Sequence, residues 1–301
     1  MSINISDSLF KCNYILPNDS YHIFCKNIYS QNGEDGIIEQ LIKELNIKNG
    51  TFCEFGASDG ITSSNTYNLI ENYNFSGLAI ESDKIRYDKC IENYYKNPYL
   101  QVEHGMVLYN DYNLNLDRWL EKGKLPYDFD ILSIDIDCDD YYVWENMTKF
   151  NPKIVILEVN SYRDPVFDEL PRKPSTEYNI DLLKQQIPGR VALGCSFISG
   201  VKLGLNKGYI PVSFTGNIIF VRKDLIEQLK IFPYKISNNP NDYISLYTPL
   251  SMWENDWYTN NTLYVNKAIG DYYLSTNKKE INIEWLNKRV KEIKKNYFCS
   301  I

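Results

Sequence analysis

Only two of the 301 residues are histidine, His22 and His104. That scarcity excludes a metal centre built mainly from imidazole. The seven cysteines, at 12, 25, 53, 90, 138, 195 and 299, stand far apart and form no CxxC pair. Neither a zinc cluster nor a disulfide framework is expected from them. What remains is a set of buried reduced thiols in a cytoplasmic protein. No apolar run reaches the roughly 18 residues that a membrane-crossing helix needs. The first twenty residues lack a basic stretch followed by an apolar one, so no signal peptide is expected there. A surplus of positive charge is also missing: 32 Lys and Arg against 39 Asp and Glu leave a net charge of -7. Such a chain is not expected to bind nucleic acid or an anionic membrane.

Against these absences, the 44% hydrophobic and 24% charged residues are ordinary for a globular protein. At about 150 residues per domain the length suggests two domains, although one α/β domain with insertions also fills it. The 25 Tyr and 5 Trp residues suit polar clefts that accept sugars, unless Tyr only replaces Phe in the core.

Apolar spacing predicts a helix capped by Ser30 and carried by Ile37, Ile38, Leu41, Ile42 and Leu45. Strands follow at 51–55, 78–80, 100–107, 129–135 and 153–158, alternating with helices at 65–73, 84–96, 114–121 and 140–149. Near-continuously apolar strands separated by helices imply a parallel sheet covered on both faces, hence a doubly wound α/β fold. After a predicted helix over 196–208, strands 209–214 and 217–221 flank Thr215-Gly216 and form a hairpin. The expected fold is therefore a mostly parallel seven-stranded sheet that ends in a hairpin with one antiparallel strand. The expected organisation is a strap or lid over 1–28, a main domain over 29–225 with an insertion at 161–190, and an appended segment over 226–301.

The first candidate site is Glu54-x-Gly56-x-x-x-Gly60, between the first strand and the helix after it. Glycine lets the chain turn tightly and lets a ligand approach. Glu81 ends the next strand, where an acid holds the two ribose hydroxyls of a nucleoside. A pyrophosphate prefers GxGxxG and would be repelled by Glu54, whereas an ammonium group would pair with it. The pattern therefore favours a nucleoside carrying an amino acid, such as S-adenosyl-L-methionine, over a nicotinamide dinucleotide. A nicotinamide-dependent oxidoreductase and a non-catalytic nucleoside-binding module of the same fold stand as alternatives.

Ser30-Gln-Asn-Gly-Glu-Asp35, 52–60, Ser64-Asn65-Thr66, 77–81, Asp135-Ile-Asp137, Glu158-Val-Asn160, Gly208-Tyr209 and 217–222 together resemble the FkbM-type S-adenosylmethionine-dependent methyltransferases. The resemblance runs over about 30–222. It implies a Rossmann-like methyltransferase fold and O-methyl transfer, often onto sugars or polyketides. Carried over, it implies that Glu54, Gly56 and Gly60 line the methionine end of the cofactor, Glu81 the ribose, and His104 with Gly105 the adenine edge. Gln31, Ser58, Ser82 and Asp135 complete the expected cofactor set.

The second candidate site is acidic. Asp135, Asp137, Asp139 and Asp140 follow the fourth strand, and Glu158 and Asn160 follow the fifth. Neighbouring parallel strands bring such ends together. Asp135, Asp137, Glu158 and Asn160 are the candidate ligands for Mg²⁺ or Mn²⁺, which take oxygen donors. Metal-dependent methyltransferases of the catechol type look similar here, with an Asp after strand four and an Asp-Asn pair after strand five. In this chain Val159 separates Glu158 from Asn160. The competing reading makes the acids caps of the next helix. Asp135 and Asp137 share a face only while the strand stays regular, and a turn after Asp135 can instead aim Asp137 at a different part of the cleft. Asp137 or His104 is the candidate general base.

The aromatic stretch from Tyr243 to Tyr264 suits stacking on a sugar ring or, equally, capping the core, and Arg163, Arg172, Lys173 and Arg190 suit a diphosphate. A predicted helix over 283–298 carries one apolar stripe, which docks on the core or forms a homodimer seam. The expected acceptor is a sugar hydroxyl on a nucleotide-sugar or glycan, which places the protein in carbohydrate biosynthesis.

Overall fold

The computed structural model describes residues 21–94, 97–160, 163, 168–171, 194–230 and 236–246. Residues 1–20 of the expected strap, most of the 161–190 insertion with Arg172, Lys173 and Arg190, the aromatic stretch beyond Tyr243 and the 283–298 helix lie outside them.

The strands are β1 (Thr51–Phe55), β2 (Ser76–Glu81), β3 (Leu100–His104), β4 (Ile131–Ile134), β5 (Ile154–Glu158), β6 (Tyr209–Phe214) and β7 (Asn217–Arg222). They form one seven-stranded sheet in the order β3-β2-β1-β4-β5-β7-β6. The pairs among β1 to β5 are parallel, and β7 runs antiparallel between β5 and β6. The doubly wound α/β fold read from the alternation is the fold observed. The helices are α1 (Glu34–Glu44), α2 (Tyr67–Tyr73), α3 (Lys84–Tyr94), α4 (Leu116–Lys122), α5 (Asp140–Asn146) and α6 (Phe197–Asn206).

The central strands are mostly apolar and buried, with Glu54 and Ser133 as buried polar residues and Thr51 and Glu158 half-buried at the ends, as suits a sheet covered on both faces. Trp144 of α5 fills one layer against Tyr209 and Phe220, with ring centroids 5.5 and 5.1 Å away. Ile37, Ile38, Leu41 and Ile42 turn the buried stripe of α1 to the core. The sheet edge at β6 is covered by short 3-10 turns at Tyr21–Phe24 and Pro240–Leu246.

Three boundaries differ by three residues from the sequence expectation, and the others by less. Helix α1 begins at Glu34 rather than beside Ser30, because residues 28–30 wrap around Asp35. Ser30 still serves the helix: its Oγ accepts from the Asp35 N–H at 3.1 Å. Strand β3 stops at His104, where the chain turns beneath the Trp119 ring. Helix α5 stops at Asn146 because Met147 is extended and the next two amides bond to Asp117 of α4.

The order 3-2-1-4-5 reverses direction between β1 and β4. In open α/β sheets the crevice at such a switch point, beyond the carboxyl ends of the strands, is where ligands sit.

Candidate functional site

Strand register assembles the site. Phe55 lies beside Ile80 and Ile134, so Gly56 comes level with Glu81 and Asp135. Ile134 pairs with Leu157, which brings Asp135 level with Glu158, and Glu158 pairs with Asn217. Glu81 pairs with His104. One row thus crosses the sheet: His104, Glu81, Gly56, Asp135, Glu158, Asn217. Both candidate sites stand on this row.

Gly56 is tied to its place twice. Its φ is 68°, in the left-handed region, and a Cβ there would overlap the Asp135 carbonyl oxygen. At Gly60 the space is taken by Cys90 and the Tyr94 ring, and the Tyr94 hydroxyl donates to the Gly60 carbonyl at 2.5 Å. Glu81 is buried at the end of β2. Its Oε2 accepts from the Ser58 N–H at 2.8 Å and its Oε1 from the Asp83 N–H at 2.7 Å. The Ser82 hydroxyl adds a long contact of 3.5 Å to Oε1, so of the roughly four acceptor positions of a carboxylate one stays open on Oε2 and a second only if Ser82 turns away.

Glu54, expected at the methionine end of a cofactor, is engaged by the protein itself. It is buried, and three donors from one loop surround its carboxylate. Ser64 Oγ and Thr66 Oγ1 donate at 2.8 and 2.7 Å, and the Asn65 N–H at 2.8 Å. The Asn65 side chain in turn donates to Ser133 Oγ of β4 at 3.1 Å. Desolvation pushes Glu54 up to about 7. Ser64-Asn65-Thr66 thus has a concrete task, to hold Glu54. The available signal was a run of three short polar residues after a buried acid.

The acids after β4 and β5 divide into two groups. One carboxylate oxygen each from Asp135, Asp137 and Glu158 lies within 4.8 Å of the others. The turn after β4 keeps Asp137 beside Asp135 and Glu158. Its φ of 66° folds the chain back, and its N–H donates to Glu158 Oε2 at 3.2 Å. Asp140 instead accepts from the Ile136 N–H at 2.7 Å and the Cys138 N–H at 3.1 Å, which makes it the keystone of the turn. Burial, then the charge of Asp135, raises Asp140 well above the usual carboxylate range. Burial also raises Glu158, followed by Asp135, Asp140 and Asp137 as negative neighbours. Asn160 bonds through its backbone to Cys195 and Arg163.

His104 is exposed at the far end of the row, its Nε2 3.1 Å from the Ser82 carbonyl oxygen and its ring 5.1 Å from that of Tyr87. Three strand spacings of about 4.8 Å separate the β3 and β4 ends. The two candidate bases, His104 and Asp137, are therefore not brought together. Tyr87 was not foreseen, although it lies in the first turn of the helix after Glu81. Ser82 is exposed beside Glu81, and Gln31 is exposed on the loop before α1. Arg163 is nearly buried and its Nη1 meets Glu169 at 2.8 Å, so it braces the start of the insertion.

No family model matches the sequence, and no curated protein matches it. Solved structures resemble it at the level of chain course. A candidate sarcosine dimethylglycine methyltransferase from Galdieria sulphuraria shares 8% identity, with 89% of this chain and 79% of that one covered, at a TM-score of 0.37. The N-terminal domain of EvdMO1, solved in the presence of S-adenosylhomocysteine and D-fucose, shares 12% identity over 65% of this chain and 84% of its own, at 0.39. TrmK of M. capricolum, solved with S-adenosylhomocysteine, shares 8% over 87% and 97%, at 0.38.

Proposed function

We propose that this protein is an S-adenosyl-L-methionine-dependent O-methyltransferase of the FkbM type, acting on a sugar hydroxyl with a divalent cation in attendance. The observation that supports the reading is the register row, which sets the buried Glu81, a glycine turn and the Asp135–Glu158 pair side by side at the switch point, with Asp137 folded back onto that pair.

The cofactor supplies a methyl group on a positively charged sulfur. Glu81 accepts the ribose hydroxyls through the positions its backbone partners leave open, with the Ser82 hydroxyl giving way on Oε1. His104 and Tyr87 stand one strand further out, beside the base. Gly56 keeps the floor between Glu81 and Asp135 free of a side chain. Hard carboxylate oxygens suit Mg²⁺ or Mn²⁺, and Asp135, Asp137 and Glu158 would hold it, with Asn160 close by in sequence. Such a cation supplies positive charge that favours the ionised form of an acceptor hydroxyl. Without the cation, Asp137, the most exposed acid of the three, would take the acceptor proton as the oxygen bonds to the methyl carbon. The carbon–sulfur electron pair then stays on sulfur.

The acidic chain disfavours nucleic acid as acceptor, and no helix among the described residues is long and apolar enough to cross a membrane. Calorimetry with S-adenosylhomocysteine tests the cofactor half. Loss of the Glu81 acceptor in Glu81→Ala is expected to weaken binding by about 1.5–3 kcal/mol, and equal binding by wild type and variant would place the site elsewhere. Labelled S-adenosylmethionine offered with nucleotide-sugars, phenols, peptides and RNA tests the acceptor. Label on a phenol or peptide alone removes the sugar assignment. Full transfer in excess chelator removes the cation and leaves Asp137 as the base.

A further inference from the structure

The loop before α1 is wound around one carboxylate. Asp35 Oδ2 accepts the N–H groups of Ile28, Tyr29 and Ser30 at 2.7, 2.7 and 2.8 Å, and the Ser30 hydroxyl at 2.8 Å. On one side Tyr29 meets Tyr67 edge-on, with centroids 4.7 Å apart, where α2 starts beyond the glycine turn. On the other side lies Glu34, wholly buried. Its Oε1 accepts from Thr215 Oγ1 at 2.7 Å and from Asn217 Nδ2 at 3.2 Å, and its Oε2 from the Asn32 N–H at 2.8 Å. Thr215 and Asn217 belong to the β6–β7 turn, and Asn217 is the register partner of Glu158. The loop is therefore held between the β1 side of the sheet and the β6–β7 turn. The strands between those two anchors are β4 and β5, whose ends carry the three acids.

We propose that Glu34 is a positioning residue, which locks the loop Asn27–Gly33 to the β6–β7 turn as a fixed wall of the acceptor entrance, with the exposed Gln31 on the acceptor side rather than in the cofactor set. This rests on the methyl-transfer reading above. A carboxyl here is a poor choice for stability alone. Burial opposes its ionised form, and an apolar side chain of the same volume would fill the space at lower cost. A satisfied polar network, in contrast, admits one arrangement of the segments it joins. Glu34 joins segments that are 181 residues apart in sequence.

The test replaces the partner and leaves α1 intact. Thr215→Val keeps the shape and removes the hydroxyl, and Thr215→Ser restores it. Amide exchange over Asn27–Gly33 should quicken in the Val variant and return to the wild-type rate in the Ser variant. Calorimetric affinity for S-adenosylhomocysteine should stay at the wild-type value in both. Methyl transfer to the nucleotide-sugar pool should fall about ten- to hundred-fold in kcat/KM for the Val variant alone, as displacement of a positioning element by a fraction of an ångström or more implies. A Val variant that transfers at the wild-type rate overturns the positioning role and leaves the methyl-transfer reading standing. A Val variant whose cofactor affinity falls in step with transfer also overturns it, because the damage then lies in the cofactor site. Wild-type protein that binds no S-adenosylhomocysteine overturns the methyl-transfer reading and this role with it.

Discussion

Glu54 shows how far a residue type can be read and where its surroundings take over. An acid before a glycine turn suggests an ammonium partner. In the folded chain the carboxylate is enclosed by Ser64, Asn65 and Thr66, and burial raises it from 4.5 to about 7. A raised folded value favours the protonated form. Its contribution to stability is present below the unfolded value and is lost as pH rises through the folded one. The shift amounts to about 3 kcal/mol between pH 4.5 and pH 8. Glu54→Gln cannot titrate and escapes that loss. Denaturant unfolding of both proteins across this range is therefore expected to show the Gln variant gaining on wild type by up to that amount. A constant difference would show that Glu54 is ionised throughout.

At the scale of elements, carboxylates hold the connections. Asp35 gathers the loop before α1, Asp140 the turn after β4, and Asp130 the N–H of Thr51 at 2.7 Å at the start of β1. Asp117 of α4 does the same for the end of α5. It is buried, and it accepts the Thr148 N–H at 2.9 Å, the Thr148 hydroxyl at 3.0 Å and the Lys149 N–H at 3.1 Å. Thr148 and Lys149 are themselves exposed, so removing the acceptor costs the hydrogen bonds to a buried charged group, about 1.5–3 kcal/mol, rather than stranding buried donors. Asp117→Ala is expected to destabilise the protein by that amount, with Asp117→Asn between it and wild type. Chemical denaturation measures both. Near-wild-type stability of the Ala variant would show that water satisfies these amides. The sequence shows the same acids, but not which of them serve backbone and which face the cleft.

Across the whole molecule, the sheet is finished by segments distant in sequence. β6 is buried along its full length although it is a terminal strand, because Tyr21–Phe24 and Pro240–Leu246 cover it. Tyr21 is 1% exposed, lies 5.9 Å from the Phe24 ring, and donates its hydroxyl to Glu44 at the end of α1. Truncating a buried aromatic of this size removes its contacts and leaves a cavity. Tyr21→Ala is expected to cost about 3 kcal/mol, read as a lower denaturant midpoint with an unchanged slope. Tyr21→Phe should recover most of the loss. A Tyr21→Ala protein as stable as wild type would mean that β6 needs no cover from the segment before α1.

The seven strands, their alternation with helices and the hairpin at the end were legible in the sequence, because apolar runs of strand length and Gly or Asn breaks are local signals. Glu81 at the end of β2 and the glycine turn after β1 were legible for the same reason: each lies next to an element that periodicity locates. The level at which strands meet is not local. Register alone sets Gly56 beside Asp135 and Asp135 beside Glu158, and it sets His104 apart from Asp137. The left-handed turn at Asp137 depends on Asp140 holding the amides before it, so the return of Asp137 to the cluster exists only in the folded chain. Glu34 has no local signal either, since its partners Thr215 and Asn217 arrive at the far end of the sheet. The sequence determined which segments become strands and helices. Long-range pairing decided which carboxylates meet, because a buried acid takes its role from the donors that tertiary packing brings to it.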